Sequence, residues 1–248
     1  MQIDRRRVPA RGLQREVALD VYQPEGGPHV LLLMNDGQDL PVPPAAIPPG
    51  VWVAAVHAGP QRRQEYGVAG VADYKGDGAL AAVYSQFVIK ELLPFLEREY
   101  PSLAGVKRAF AGFSLGGLSA LDIVWQHPQH FSMAGVFSGA LWWRSRPLDA
   151  AYSDERDRII HRRIRESTYR PGLQFFFECG SADETADRNG NGIIDSIDDT
   201  RDLITELVKK GYREPEDITY LEVPGGRHDK ETWGRAMEVF LGLIHKKS

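Results

Sequence analysis

Seven short apolar runs punctuate the chain, and between them the spacing of apolar positions changes. "REVALDVY" (15–22) alternates apolar with polar, as a half-buried strand does. "HVLLLM" (29–34), "VWVAAVH" (51–57), "KRAFAG" (107–112), "MAGVFS" (133–138), "LQFFFEC" (173–179) and "ITYLEV" (218–223) are continuous apolar runs ending in polar or glycine-containing turns. That is the pattern of strands covered on both faces. The segments between them repeat at helical spacing. Over 79–100, Leu80, Val83, Tyr84, Phe87, Leu92, Phe95 and Leu96 share one face, and Pro94 predicts a kink or break. Residues 115–126, 154–166, 200–210 and 231–245 read as helices in the same way.

Strands alternating with helices predict an α/β fold, a mostly parallel sheet with helices on both faces. The proline-rich "LPVPPAAIPPG" (40–50) is too short for a domain linker and no internal repeat is seen, so residues 1–248 read as one domain. At 42% hydrophobic and 26% charged the composition is that of an ordinary soluble chain. A net charge of -4 gives no electrostatic reason to expect nucleic acid or an anionic membrane as partner. No apolar run approaches the roughly 18 residues that span a bilayer. Arg5, Arg6 and Arg7 precede no apolar segment, so they read as a solvated N-terminus and not as a signal peptide. The single cysteine excludes an internal disulfide and fits the reducing cytoplasm, while a removed leader would be compatible with a periplasmic or secreted protein.

The chemistry starts at "RAFAGFSLGGLSA". A strand runs into Gly112-Phe113-Ser114-Leu115-Gly116 and on into a helix, which is G-x-S-x-G in its strand–turn–helix context. A serine at so sharp a turn has its hydroxyl pushed out of the sheet, and the helix directs N–H groups toward a developing anion. A serine needs a base. Of seven histidines, His228 lies in the glycine-rich loop "VPGGRHDKETW", after the last strand and therefore at the same sheet edge as Ser114. The histidine needs a carboxylate, expected after the preceding strand in the order Ser…Asp…His. Asp183 comes first there, with Glu184 as its rival.

Beyond Asp183, the residues Asp187, Asn189, Asn191, Gly192 and Asp198 satisfy D-x-[DN]-x-[DN]-G-x5-[DE], with Ile193 offering a carbonyl and Asp195 at the ninth position. Calcium takes six to eight oxygens, and this spacing presents them around one cation; magnesium or an empty solvated turn are the alternatives. No cofactor is expected for catalysis. For an oxyanion, the donors expected are the Leu115 N–H and the Gln38 N–H, the latter in the loop after an early buried strand. Trp142 and Trp143 follow another strand at the same edge and are candidates for a substrate wall, or equally for packing.

With these residues assembled, the chain resembles the esterase D family of α/β-hydrolases, which includes enterochelin esterase-like, feruloyl esterase-like and S-formylglutathione hydrolase-like enzymes. The resemblance rests on "NDGQ" (35–38), "ELLPFLEREYP" (91–101), "AGFSLGGLSA" (111–120), "GVFSGALWW" (135–143), "CGSAD" (179–183) and "PGGRHDKETW" (224–233). It implies the α/β-hydrolase fold, with Ser114 as nucleophile, His228 as base and Asp183 as acid, hydrolysing a small-molecule carboxylic ester. It leaves open whether the substrate is a sugar, aryl or siderophore ester. The acidic loop departs from most members of the family. Two other readings are an acyltransferase of the same fold and an inactive calcium-dependent binding module.

Overall fold

The computed structural model describes residues 1–246. Its strands are β1 (Gln2–Ala10), β2 (Arg15–Gln23), β3 (Val30–Asn35), β4 (Val51–Val56), β5 (Lys107–Phe113), β6 (Met133–Phe137), β7 (Gln174–Gly180) and β8 (Ile218–Val223). They form one sheet in the order β1-β2-β4-β3-β5-β6-β7-β8. From β4 to β8 every neighbouring pair is parallel, while β2 runs antiparallel to β4 and β1 antiparallel to β2. β3, β4, β5 and β6 are buried along their whole length except for the first residues of β5, which explains their unbroken apolar runs.

The helices are α1 (Arg62–Glu65), α2 (Ala81–Phe87), α3 (Leu93–Glu99), α4 (Leu115–Gln126), α5 (Asp154–Asp157), α6 (Ile159–Glu166), α7 (Asp195–Lys210) and α8 (Lys230–Lys246). Side chains of α2, α3, α4, α6 and α7 join one apolar core with one face of the sheet, through Phe87, Leu96, Leu121, Ile164 and Leu203. On the other face α8 buries Met237, Phe240 and Leu241, and the proline-rich loop contributes Val42 and Ile47 beside it. That loop covers sheet where a helix would otherwise be needed.

Three elements differ from the sequence expectation. The arginine-rich N-terminus is an edge strand and not a solvated tail: β1 pairs along nine residues with β2, yet buries only Val8 and Ala10. A charged edge resists further pairing, and the same charges hide the strand's alternation. Pro94 does not break its helix. A π turn at Val88–Leu92 carries the chain from α2 into α3, and the proline sits at the start of α3 where its missing N–H is least costly. Finally, α7 begins at Asp195 rather than Thr200, placing Asp195 and Asp198 in its first turn, where the helix dipole favours acids.

Candidate active site

The turn between β5 and α4 holds Ser114 at φ 51° and ψ −121°, a backbone state that a side chain rarely tolerates. Its neighbours over-determine it. The Ser114 N–H donates to the Phe137 carbonyl at 2.9 Å, and the Ser114 carbonyl accepts from Ala140 at 3.0 Å. Gly112 has no room for a side chain, since a Cβ there would lie 2.5 Å from the Gly116 carbonyl group. Asn35, fully buried, donates from Nδ2 to the Gly116 carbonyl at 2.8 Å and accepts from the Tyr84 hydroxyl at 2.6 Å, tying the end of β3 to the elbow. Ser114 is left half-buried at the carboxyl edge of the sheet.

His228 lies at that edge, between β8 and α8. Its ring meets Trp233 edge-on at 5.1 Å, and Trp233 also stacks at 4.8 Å on Phe113, adjacent to Ser114 in the chain. One indole therefore links the histidine loop to the elbow. His228 keeps solvent-facing surface, but the protein packed around its ring still lowers its pKa; Asp183 acts the other way and the Arg62 guanidinium lowers it further.

The loop after β7 is stitched to the histidine loop by Ala182 N–H to the Gly226 carbonyl at 2.8 Å and Gly225 N–H to Ser181 Oγ at 2.8 Å. This brings Asp183 into electrostatic contact with His228. Both Asp183 carboxylate oxygens are buried, and burial raises its pKa against the opposing pull of the Ser138 hydroxyl and His228. Glu184 points elsewhere, toward Ser196, Asp195 and Asp199 at the start of α7. Among the described residues, no hydrogen bond joins Ser114 to His228 or His228 to Asp183 in this arrangement.

At the end of β3, Asp36 adopts a left-handed backbone and receives both arms of Arg62, at 2.6 and 2.8 Å. The next residues carry Gln38, whose side chain accepts from Ala58 N–H at 3.0 Å, and Asp39, which pairs with Lys230 of α8. The backbone N–H groups of Gln38 and Leu115 have no partner among the described residues, so both are free to donate.

The two tryptophans separate. Trp142 is exposed, and Arg144 lies over its ring at 5.8 Å and over Tyr74 at 5.3 Å. Trp143 is 1% exposed and packs against Gly67 and Gly78, where a Cβ would stand 3.2 and 3.1 Å from its ring. The expectation of a substrate wall is therefore corrected for Trp143, which belongs to the core. A cavity of about 490 Å³ opens between α6 and α7 among Arg158, Arg165, Asp202 and Glu206, and none of Ser114, Asp183 or His228 lines it.

In the acidic loop, Asp187 accepts backbone N–H groups from Gly190, Asn191 and Gly192 at 2.8 to 3.1 Å. Asn189 and Asn191 both direct Nδ2 to Asp198, at 2.9 and 2.8 Å. Four of the expected ligands thus share one turn, and rotating the two amides would present oxygens where nitrogens now meet a carboxylate. The backbone of Ile193 belongs to the same turn, its N–H bonded to Asn191 Oδ1 at 2.8 Å. Asp195 is engaged instead by the Arg188 N–H at 2.9 Å and guanidinium at 3.2 Å. Among the described residues, no three His, Cys, Asp or Glu side chains form a ready-made metal cluster.

Sequence reasoning missed the partners of these groups: Asn35 and the Asp36–Arg62 pair, Ser138 and Glu178. Ser138, at φ 43°, accepts from Trp233 Nε1 at 2.9 Å. Glu178 is 1% exposed. An acid inside the apolar run "LQFFFEC" was the one signal available for it.

A mostly parallel sheet of this order, with a left-handed serine at a glycine-flanked strand-to-helix turn, is the α/β-hydrolase architecture. A family model described as "Putative esterase" matches residues 45–243, and the chain belongs to that esterase family. Among individual proteins, the siderophore triacetylfusarinine C esterase of Aspergillus fumigatus is 31% identical over 65 residues, covering 26% of this chain and 22% of that protein. The enterobactin esterase FES of Shigella flexneri superimposes with a TM-score of 0.71 at 19% identity, over 97% of this chain and 58% of that one. Siderophore hydrolase EstB of Aspergillus nidulans gives 0.64 at 16% identity, over 96% and 93%. The chain thus spans little more than half of the Shigella protein, and its match to the Aspergillus fumigatus one covers under a quarter of that protein.

Proposed function

We propose that the protein is a serine esterase that hydrolyses a small carboxylic ester through an acyl-enzyme. Ser114 attacks the ester carbonyl while His228 takes its proton, and Asp183 fixes the imidazole and stabilises its cation. The Leu115 and Gln38 N–H groups receive the oxyanion. His228 then protonates the leaving alcohol, and water repeats the sequence to release the acid. The observation that carries this reading is the strained elbow at Ser114, at the sheet edge where the loops of Asp183 and His228 are hydrogen-bonded to each other. The Ser114–His228 and His228–Asp183 hydrogen bonds belong to the reactive complex, where such contacts tighten.

Trp142, Arg144 and Tyr74 make a cationic aromatic wall suited to an aryl or siderophore-type acyl group. A fluorophosphonate probe tests the reading: mass spectrometry should find the label on Ser114, and an unlabelled Ser114 in folded protein would contradict it. An acyltransferase would also label, and is separated by products formed with an added alcohol acceptor. For the acidic loop we infer a structural calcium ion on Asp187, Asn189, Asn191, the Ile193 carbonyl and Asp198, supported by their shared turn. Added calcium should raise Tm and chelator should lower it; an unchanged Tm in both would reject the ion.

A further inference from the structure

His228 keeps solvent-facing surface, and among the described residues neither of its ring nitrogens has a hydrogen-bond partner. Its backbone is fixed all the same. Asp229 caps α8, its carboxylate accepting the Thr232 N–H at 2.9 Å and its carbonyl the Trp233 N–H at 3.1 Å. The Arg227 N–H donates to Thr232 Oγ1 at 2.9 Å, so His228 sits inside a closed turn. The imidazole meets Trp233 of that first helical turn, at 5.1 Å between ring centres and 82° between planes. The indole is docked on both sides of the elbow. It stacks on Phe113, the residue before Ser114, at 4.8 Å and 14°. Its Nε1–H donates to Ser138 Oγ at 2.9 Å, and Ser138 follows Phe137, whose carbonyl takes the Ser114 N–H. Ser138 is itself pinned, with φ at 43° and its N–H on the Glu178 carbonyl at 2.8 Å. Gly234, next in α8, lies so close to the proline-rich loop that a Cβ there would stand 2.9 Å from the Pro41 carbonyl oxygen. The indole cannot slide along the sheet edge without breaking contacts at β5, at the end of β6 or at that loop.

We propose that Trp233 is a positioning residue for His228: the indole, keyed to Phe113 and Ser138, sets the orientation of the imidazole and its distance from Ser114. A surface histidine with no hydrogen bond to its ring would otherwise sample several rotamers, and proton transfer from the serine is served by only one geometry. The indole restricts that freedom without touching the reacting atoms. Because its two anchors are the residues that also hold the elbow, base and nucleophile are referred to the same pair of strand ends. The proposal rests on the reading of Ser114 and His228 as nucleophile and base.

The test is kcat and KM for p-nitrophenyl acetate across about pH 5 to 8 in wild type, Trp233→Leu, Trp233→Phe, Ser138→Ala, the Trp233→Phe/Ser138→Ala double variant and His228→Gln. Trp233→Leu should lose about tenfold or more in kcat with KM within about twofold. Its acid limb should move up toward the ordinary histidine value, since packing around the ring is what lowers it. The charged groups around that ring, Asp183, Arg62 and Asp229, stay in place. Trp233→Phe and Ser138→Ala remove the same bond, so each should lower kcat by about two- to tenfold, and the double variant by no more than either alone. A Trp233→Leu kcat within about threefold of wild type, a loss confined to KM or an unmoved acid limb overturns the proposal. So do Trp233→Phe and Ser138→Ala losses that are absent or that multiply in the double variant. If Trp233→Leu does not fold, that cycle decides alone. His228→Gln separates the two levels: its full activity would sink the nucleophile–base reading, whereas its inactivity beside an unaltered Trp233→Leu would sink this proposal alone.

Discussion

Gly180 and Gly226 meet so closely at the rim of the sheet that a Cβ on Gly180 would lie 2.5 Å from the Gly226 carbonyl carbon and oxygen, and 2.6 Å from Asp183 Oδ1. The acid and histidine loops share one backbone contact, and their spacing is set there. Gly180→Ala must push them apart. It should destabilise the protein by about 1–3 kcal/mol, as overpacking does, and lower kcat/KM by about tenfold or more. Urea unfolding and esterase kinetics on the same sample check both.

The pH dependence of activity follows from His228. The proposed mechanism requires its base form, and burial lowers its pKa from the ordinary histidine value, so the acid limb of kcat/KM should have a midpoint below about 6.5. Asp183→Asn removes the anion that raises that pKa. The limb should move further toward acid while the plateau drops by about two to four orders of magnitude. Glu184→Gln, facing α7 instead, should leave both within about threefold.

Trp142 and Trp143, adjacent in the chain, should fail differently. Trp143→Ala empties a core site and should cost about 3–5 kcal/mol of stability. Trp142→Ala should leave the unfolding midpoint nearly unchanged and raise KM for aryl esters several-fold with kcat held.

Buried His161 sets an acid lability away from the active site. Its Nε2–H bonds the Asp199 carbonyl at 2.8 Å, its Nδ1 is bare, and burial lowers its pKa to about 3. The folded state thus excludes a proton that the unfolded chain accepts below about pH 6.5. Stability from this group is complete above that pH and is lost as pH falls, by up to about 1.4 kcal/mol per pH unit. His161→Gln keeps a donor and should flatten the difference in unfolding free energy between pH 6.5 and about 4.5.

How much was legible in the sequence follows from which contacts leave a spacing. Strands β3 to β6 announced themselves as apolar runs because both faces are covered, and the loops carrying Ser114 and His228 could be placed at one sheet edge because each directly follows a parallel strand. β1 was illegible because an edge strand needs only Val8 and Ala10 inside, and its arginines mimic a tail. Trp142 and Trp143 could not be told apart, since only the fold decides which one meets Gly67 and Gly78. Asp183 and Glu184 were separated by the turn after Gly180, a contact with a loop more than forty residues further along the chain. Ser138 lies forty residues before Glu178, so the bond from its N–H to the Glu178 carbonyl appears only once β6 and β7 pair.

The central claim is that Ser114 forms the acyl bond, and replacing it is the most direct measurement. Folded Ser114→Ala should turn over p-nitrophenyl acetate at least about four orders of magnitude more slowly than wild type, leaving little above the oxyanion donors' residual effect. Turnover within about tenfold of wild type would contradict the account.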